Sequence, residues 1–206
     1  CATDGLCSID CPVNINTGVM VKSLRFTGDA EPWFIPFINR NFRFVISLVR
    51  AGLKTVGMLD SFIGHSLVRK GAAALNKISK GRVPVWLRSG FTVSKKSIFS
   101  PVVDPDYIHV SSCVNRVLAG DTSGLSSSDY LREIADAAGI RLGNLDTIND
   151  YCCGMAFSSR GFDTTGKDMR QDLLDELNAV SNGGKIPIVV DMSPCTQYLM
   201  ESQDVS

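Results

Sequence analysis

The chain has 206 residues, 44% of them hydrophobic, and its 21 Lys and Arg balance 21 Asp and Glu. That length and apolar content can fill a real core and exclude an intrinsically disordered polymer. No uncharged apolar run approaches the roughly 18–20 residues of a membrane helix, and the N-terminus has no signal-peptide pattern, so nothing is expected to span a bilayer. The neutral total hides an asymmetry. Residues 12–100 carry 14 Lys and Arg against Asp29, Glu31 and Asp60, a net of +11, whereas residues 101–206 carry 7 against 16, a net of −9. Either one half docks on the other, or the basic half faces an anionic partner or membrane surface. The seven cysteines, at 1, 7, 11, 113, 152, 153 and 195, are clustered and odd in number. Without a secretory signal they point to metal ligation in a reducing compartment, hence a cytoplasmic location. A ligand motif at the first residue and no initiating Met are expected of an excised piece.

In chain order the first feature is Cys1, Asp4, Cys7 and Cys11-Pro12, whose register resembles a bacterial ferredoxin cluster run with Asp4 in the second ligand slot. In the full pattern three thiolates wrap one iron–sulfur cube and the cysteine before proline reaches a second. A carboxylate is a harder ligand than thiolate, so Asp4 can close a 4Fe-4S cube with a loosely held iron or leave a 3Fe-4S cluster. Cys11 is then expected to serve a neighbouring cluster. The bland reading, three ordinary cysteines in a loop, leaves both spacings, the proline and the acidic residue unexplained.

Asn16-Thr17-Gly18 offers N-cap chemistry, and Val19 to Phe26 predict a short helix ending near Gly28. From Trp33 to Val56, Phe34, Ile38, Phe42, Val45, Val49 and Leu53 recur at helical period, with Arg40, Arg43, Arg50 and Lys54 opposite. Such a basic amphipathic helix can lie on anionic lipid, or it faces the core while its arginines are solvated or meet the acidic half. A second helix from Met58 to Ser79 repeats the theme, and together they predict a helical hairpin. Lys80 to Asp106, rich in Gly and Pro, reads as a linker. Beyond it come a strand at Tyr107 to Ser111, a helix at Ser128 to Ala138, a helix at Asp168 to Val180 and a strand at Ile186 to Val190. The expected fold class is mixed α/β with a mainly parallel sheet. Three regions are expected: a partial cluster motif with its anchoring helix over 1–28, a basic hairpin and linker over 29–100, and a cysteine-rich α/β domain over 101–206.

Cys113 follows the first strand, Cys152-Cys153-Gly154 sits in a loop after Ile148, and Cys195 follows the last strand ahead of a short helix through Met200. Loops beyond the carboxyl ends of parallel strands converge, so these three elements are expected to meet. Two adjacent cysteines can both ligate only if the backbone turns sharply, and Gly154 has the freedom for it. The amides of the last helix would favour a thiolate or a cluster at Cys195.

Ser112-Cys113-Val114-Asn115-Arg116, the run from Cys152-Cys153-Gly154 to Phe162, and Asp191-Met192-Ser193-Pro194-Cys195-Thr196 resemble the cysteine-rich CCG domain. That domain occurs in heterodisulfide reductase, in the iron–sulfur subunit of anaerobic glycerol-3-phosphate dehydrogenase and in lactate-utilisation proteins. With the N-terminal cluster run, the chain is similar to the C-terminal portion of bacterial FAD-linked D-lactate dehydrogenases. The resemblance implies an oxidoreductase in which FAD, in an N-terminal flavin domain of the same polypeptide, oxidises a 2-hydroxy acid. Electrons would pass through iron–sulfur clusters toward quinone or a cytochrome, at the inner membrane as a peripheral protein, with no nucleic acid involved. The chain departs from the family where Met192 stands in place of the first cysteine of a final Cys-x-x-Cys. Cys113, Cys152, Cys153 and Cys195 suffice for one cubane or one zinc ion but not for a five-cysteine, non-cubane site.

No residue is then expected to act as a catalytic acid or base, and His65 and His109 read as structural. Two other classes use the same thiols. A thiol–disulfide module would pair Cys152 with Cys153 and resolve through Cys113 or Cys195; a structural zinc domain would hold all four in tetrahedral geometry. Air-handled material is expected to lose cofactor, leaving free thiols or a Cys152–Cys153 disulfide.

Overall fold

The computed structural model describes residues 11–12, 15, 17–25, 31–80, 92–94, 102–119 and 125–200. Cys1, Asp4 and Cys7 of the first cluster motif lie outside them. The first helix, α1 (Thr17–Arg25), falls where the cap and the apolar run place it. The basic region forms α2 (Phe34–Arg40), α3 (Phe42–Ile63) and α4 (His65–Ile78). The turn of the hairpin therefore lies at Gly64 and not near Gly57. A glycine inside a helix costs about 1 kcal/mol and does not stop it, whereas Gly64 takes φ +91°, which an L side chain resists. Asp60 and His65, 3.0 Å apart, bracket that turn.

The strands are β1 (Thr92–Val93), β2 (Tyr107–Val110), β3 (Leu118–Ala119), β4 (Leu142–Asn144) and β5 (Ile188–Val190). Three make a parallel sheet in the order β4-β2-β5, with His109 of the central strand opposite Asn144 and Val189. The fold is thus mixed α/β with a small parallel sheet and a helical hairpin, as the pattern of elements led us to expect. Three strands, β1, β3 and β4, lie outside the expected set. β1 lies in the stretch read as linker and pairs antiparallel with β3; β4, Leu-Gly-Asn, is too short to alternate.

Around the sheet lie α5 (Cys113–Val117), α6 (Ser127–Ala137), a 3-10 helix (Asp146–Asp150), α7 (Met155–Ser158), α8 (Asp163–Val180) and α9 (Ser193–Met200). α6 opens on a capping box between Ser126 and Asp129. α8 begins five residues before the expected Asp168, because its buried face, Thr165, Gly166, Met169, Leu173 and Leu177, extends back past the glycine. One core cluster joins Val110, Leu145, Cys153, Leu173, Leu177 and Leu199. The other joins Phe42, Cys152 and Met169, with Ile38, Ile46, Cys113 and Phe157 packed against them. This second cluster is shared between the basic helices and the cysteine-bearing region. An ion pair joins the two halves, Arg43 Nη2 lying 2.6 Å from Asp150 Oδ2, and Glu31 accepts from Thr165 N at 3.1 Å and from the Thr165 hydroxyl. Among the described residues, no helix is long and apolar enough to cross a membrane.

Candidate cysteine site

Each thiol of the second set is placed by the end of a strand. Cys113 opens α5 three residues after β2, with Ser112 Oγ capping the helix by accepting from Asn115 N at 3.3 Å. Cys152 and Cys153 follow β4 and the 3-10 helix; Cys195 follows β5, in the first turn of α9 rather than ahead of it. The convergence expected of these loops is what the structure places: Cys153 Sγ and Cys195 Sγ are 3.0 Å apart, and hydrogen bonds link Cys113 to Cys152 and Cys152 to Cys153. All four are free thiols, Cys152 and Cys153 buried. Cys11, also a free thiol, lies half-buried ahead of α1.

The turn at the vicinal pair is glycine-dependent in two ways. Gly154 adopts φ +83°, and a Cβ there would lie 2.0 Å from the carbonyl oxygen of Gly166 on α8. That close crossing brings α7 down on α8 and aims Cys152 and Cys153 into the core. The backbone N–H groups of Val114, Gly154 and Met155 point at the sulfurs of Cys113, Cys152 and Cys153.

These donors favour thiolates but do not prevail. The hydrogen bond with Cys152, together with burial, pushes the Cys113 thiol far above its ordinary value. The bond with Cys113 works to lower Cys152, yet the bond with Cys153 and burial push it up to about 12. Cys153 behaves alike: Cys152 lowers it, Cys195 and burial raise it to about 12. At neutral pH these three are protonated, hydrogen-bonded thiols.

Arg116, quoted above only as part of a motif, is a principal residue of the site. It is buried, and its guanidinium donates to the carbonyls of Ile148, Tyr151 (2.7 Å) and Ser112 (3.4 Å) and stacks over the Phe42 ring. Two of those carbonyls belong to the segment leading into Cys152, so Arg116 ties the cysteine loop to α5. Burial pulls its pKa down while Cys113, Cys152 and Asp191 pull it up, and an arginine stays charged regardless. A lone run of sequence could not signal this, because all three acceptors are backbone atoms. Asp191 sits beneath the same helix, accepting from Ser112 N at 2.8 Å and Ser128 Oγ at 3.3 Å, 3.6 Å from His109 Nε2. Burial alone would raise its pKa; His109, the Asn115 side chain and the Ser112 N–H hold it well below the usual carboxylate range. His65, at the hairpin turn, is remote from the thiols in sequence and paired with Asp60.

As a donor set, four thiols suit soft or borderline metals, iron in a cluster or zinc. Among the described residues no group of three or more His, Cys, Asp or Glu is already arranged to hold a metal ion; the sulfurs touch in the sequence 113, 152, 153, 195. Comparison with family models, with curated proteins and with solved structures found no significant match for the chain.

Proposed function

We propose that this chain is an iron–sulfur relay belonging to an FAD-linked 2-hydroxy acid dehydrogenase of the D-lactate type, and that Cys113, Cys152, Cys153 and Cys195 hold one of its metal centres. The observation that carries this reading is the unbroken line of thiol contacts made by three loops at one end of a parallel sheet. A 4Fe-4S cluster there would take up and hand on one electron at a time. The chain's own residues prepare for that. Cys113, Cys152, Cys153 and Cys195 would hold the cluster as thiolates, releasing their protons, so loading would be favoured by rising pH. The Val114, Gly154 and Met155 N–H groups and the Arg116 charge would stabilise the negative charge of such a site. Phe42 and Met169 keep water from Cys152.

On this reading Cys1, Asp4 and Cys7 ligate a further 4Fe-4S or 3Fe-4S cluster and Cys11 its neighbour. FAD belongs to another part of the same polypeptide, and quinone or a cytochrome accepts the electrons. The protein is cytoplasmic and peripheral at the inner membrane. The hairpin supports that placement: Phe62 is 85% exposed, and Leu67, Leu75 and Ile78 are exposed beside Arg69, Lys70 and Lys77.

A second reading is favoured by one contact. Cys153 and Cys195, at 3.0 Å, are the pair a two-electron oxidation would join, losing two protons and forming one S–S bond. Cys152 and Cys153, the pair expected from sequence, are also joined by a hydrogen bond. Anaerobic purification separates the readings. A relay is brown, absorbs near about 400 nm, contains iron and acid-labile sulfide, and loses part of both in Cys153→Ser. Colourless protein with one tightly held zinc indicates the structural zinc domain. Colourless, metal-free protein that forms a Cys153–Cys195 disulfide on mild oxidation, read by peptide mass mapping, overturns the relay.

A further inference from the structure

Between α3 and the carboxyl ends of β2 and β4 lies a cleft of about 810 Å³, within the roughly 300–1,000 Å³ of small-molecule sites. It occupies the position where open parallel sheets take ligands, on the side of α5 that Asn115 and Arg116 line. One wall is α3, with Arg43, Arg50 and Lys54; the other carries His109, Ser111 and Asn144. Ile46 and Leu145 add apolar surface.

Charge and burial say what would bind. Asp150 neutralises Arg43 at 2.6 Å. Arg50 donates to the carbonyls of Arg116 (2.8 Å) and Ser94 (2.7 Å), and Arg116 likewise donates to carbonyls. Hydrogen bonds to carbonyls satisfy donors without cancelling charge. Lys54 is exposed and bonds to no described residue. Three positive charges thus face the cleft against one lining carboxylate, Asp146. At the bottom, the His109 side chain is 2% exposed and its Nε2 has no hydrogen-bond partner among the described residues. Asp191 Oδ2, 3.6 Å away, is beyond hydrogen-bond reach. A buried ring nitrogen left unpaired in a cationic, half-apolar cleft calls for a ligand acceptor.

We propose that this cleft binds a small organic oxyanion, a carboxylate or phosphate ester, with its charged group between Lys54 and His109 and its apolar part against Ile46 and Leu145. Asp191, fixed by Ser112 N and Ser128, stands 3.6 Å from the same Nε2 edge of the imidazole.

The test is calorimetric titration of the anaerobically purified full chain with phenyl phosphate, benzoate and inorganic phosphate. One of the two aromatic anions is expected to bind with one-to-one stoichiometry and tighter than inorganic phosphate; which of them does so identifies the ester or the carboxylate as the ligand class. Lys54→Glu should weaken that binding by about tenfold or more, and Lys77→Glu on α4, outside the cleft, by less than about twofold. Because Lys54 is exposed, its reversal leaves folding intact even where His109→Gln does not. Absence of saturable binding by all three probes overturns the proposal. Equal weakening by Lys54→Glu and Lys77→Glu does the same, since it would show only non-specific attraction to a basic surface.

Discussion

The hairpin and the cysteine-bearing region obey the same helical periodicity, and only one of them converts it into burial. In α8 the residues at that spacing, Met169, Leu173 and Leu177, are all sealed in the core; in α4 no residue is buried, and Leu75 and Ile78 stand in solvent. Periodicity therefore predicts a helix in both but a core in only one, and what separates them is the presence of an opposing surface. α8 has α7 and the sheet, while among the described residues the distal half of the hairpin has only itself.

The contrast can be broken first at Gly154. Gly154→Ala combines a left-handed φ with a Cβ that meets a backbone oxygen, neither of which a rotamer change relieves. It should cost about 4 kcal/mol or more, or prevent folding, read by urea denaturation. A milder comparison is Leu173→Ala against Leu75→Ala. The first leaves a cavity in the core and should cost about 2–5 kcal/mol; the second, on an exposed face, should stay within about 0.5 kcal/mol. Similar losses at both would mean that the hairpin is covered in solution. The smallest effect is one of pH. Asp191 has a folded pKa below its unfolded value of about 3.9, so its contribution is present above that pH and disappears as the pH falls through the folded value. Urea midpoints measured from pH 6 to pH 3 should fall more steeply in the wild type than in Asp191→Asn.

Much of this was legible in the residues. Cys113, Cys152, Cys153 and Cys195 could be assembled because each follows a strand or loop on the same side of a parallel sheet, and Gly154 because two adjacent ligands need a turn. The boundaries failed where a glycine was read without its conformation: Gly57 is passed through by α3, Gly166 is buried within α8, and Gly64, with φ +91°, ends a helix. β4 escaped because three residues of Leu, Gly and Asn have no alternation to detect. Arg116, His109 and Asp191 were beyond reach for a different reason. Their partners are backbone carbonyls or side chains tens of residues away, and no local spacing encodes such meetings.

The ring of Phe42 has a practical consequence. It lies against Cys152 in the shared core cluster and beneath the guanidinium of Arg116, although it belongs to the basic segment some 110 residues upstream. A protein engineer who cut the polypeptide near residue 100 to isolate the sulfur-rich portion would strip away its roof, admitting oxygen to the vicinal pair and leaving a cation without its aromatic cover. The unit that survives excision intact should begin no later than α2.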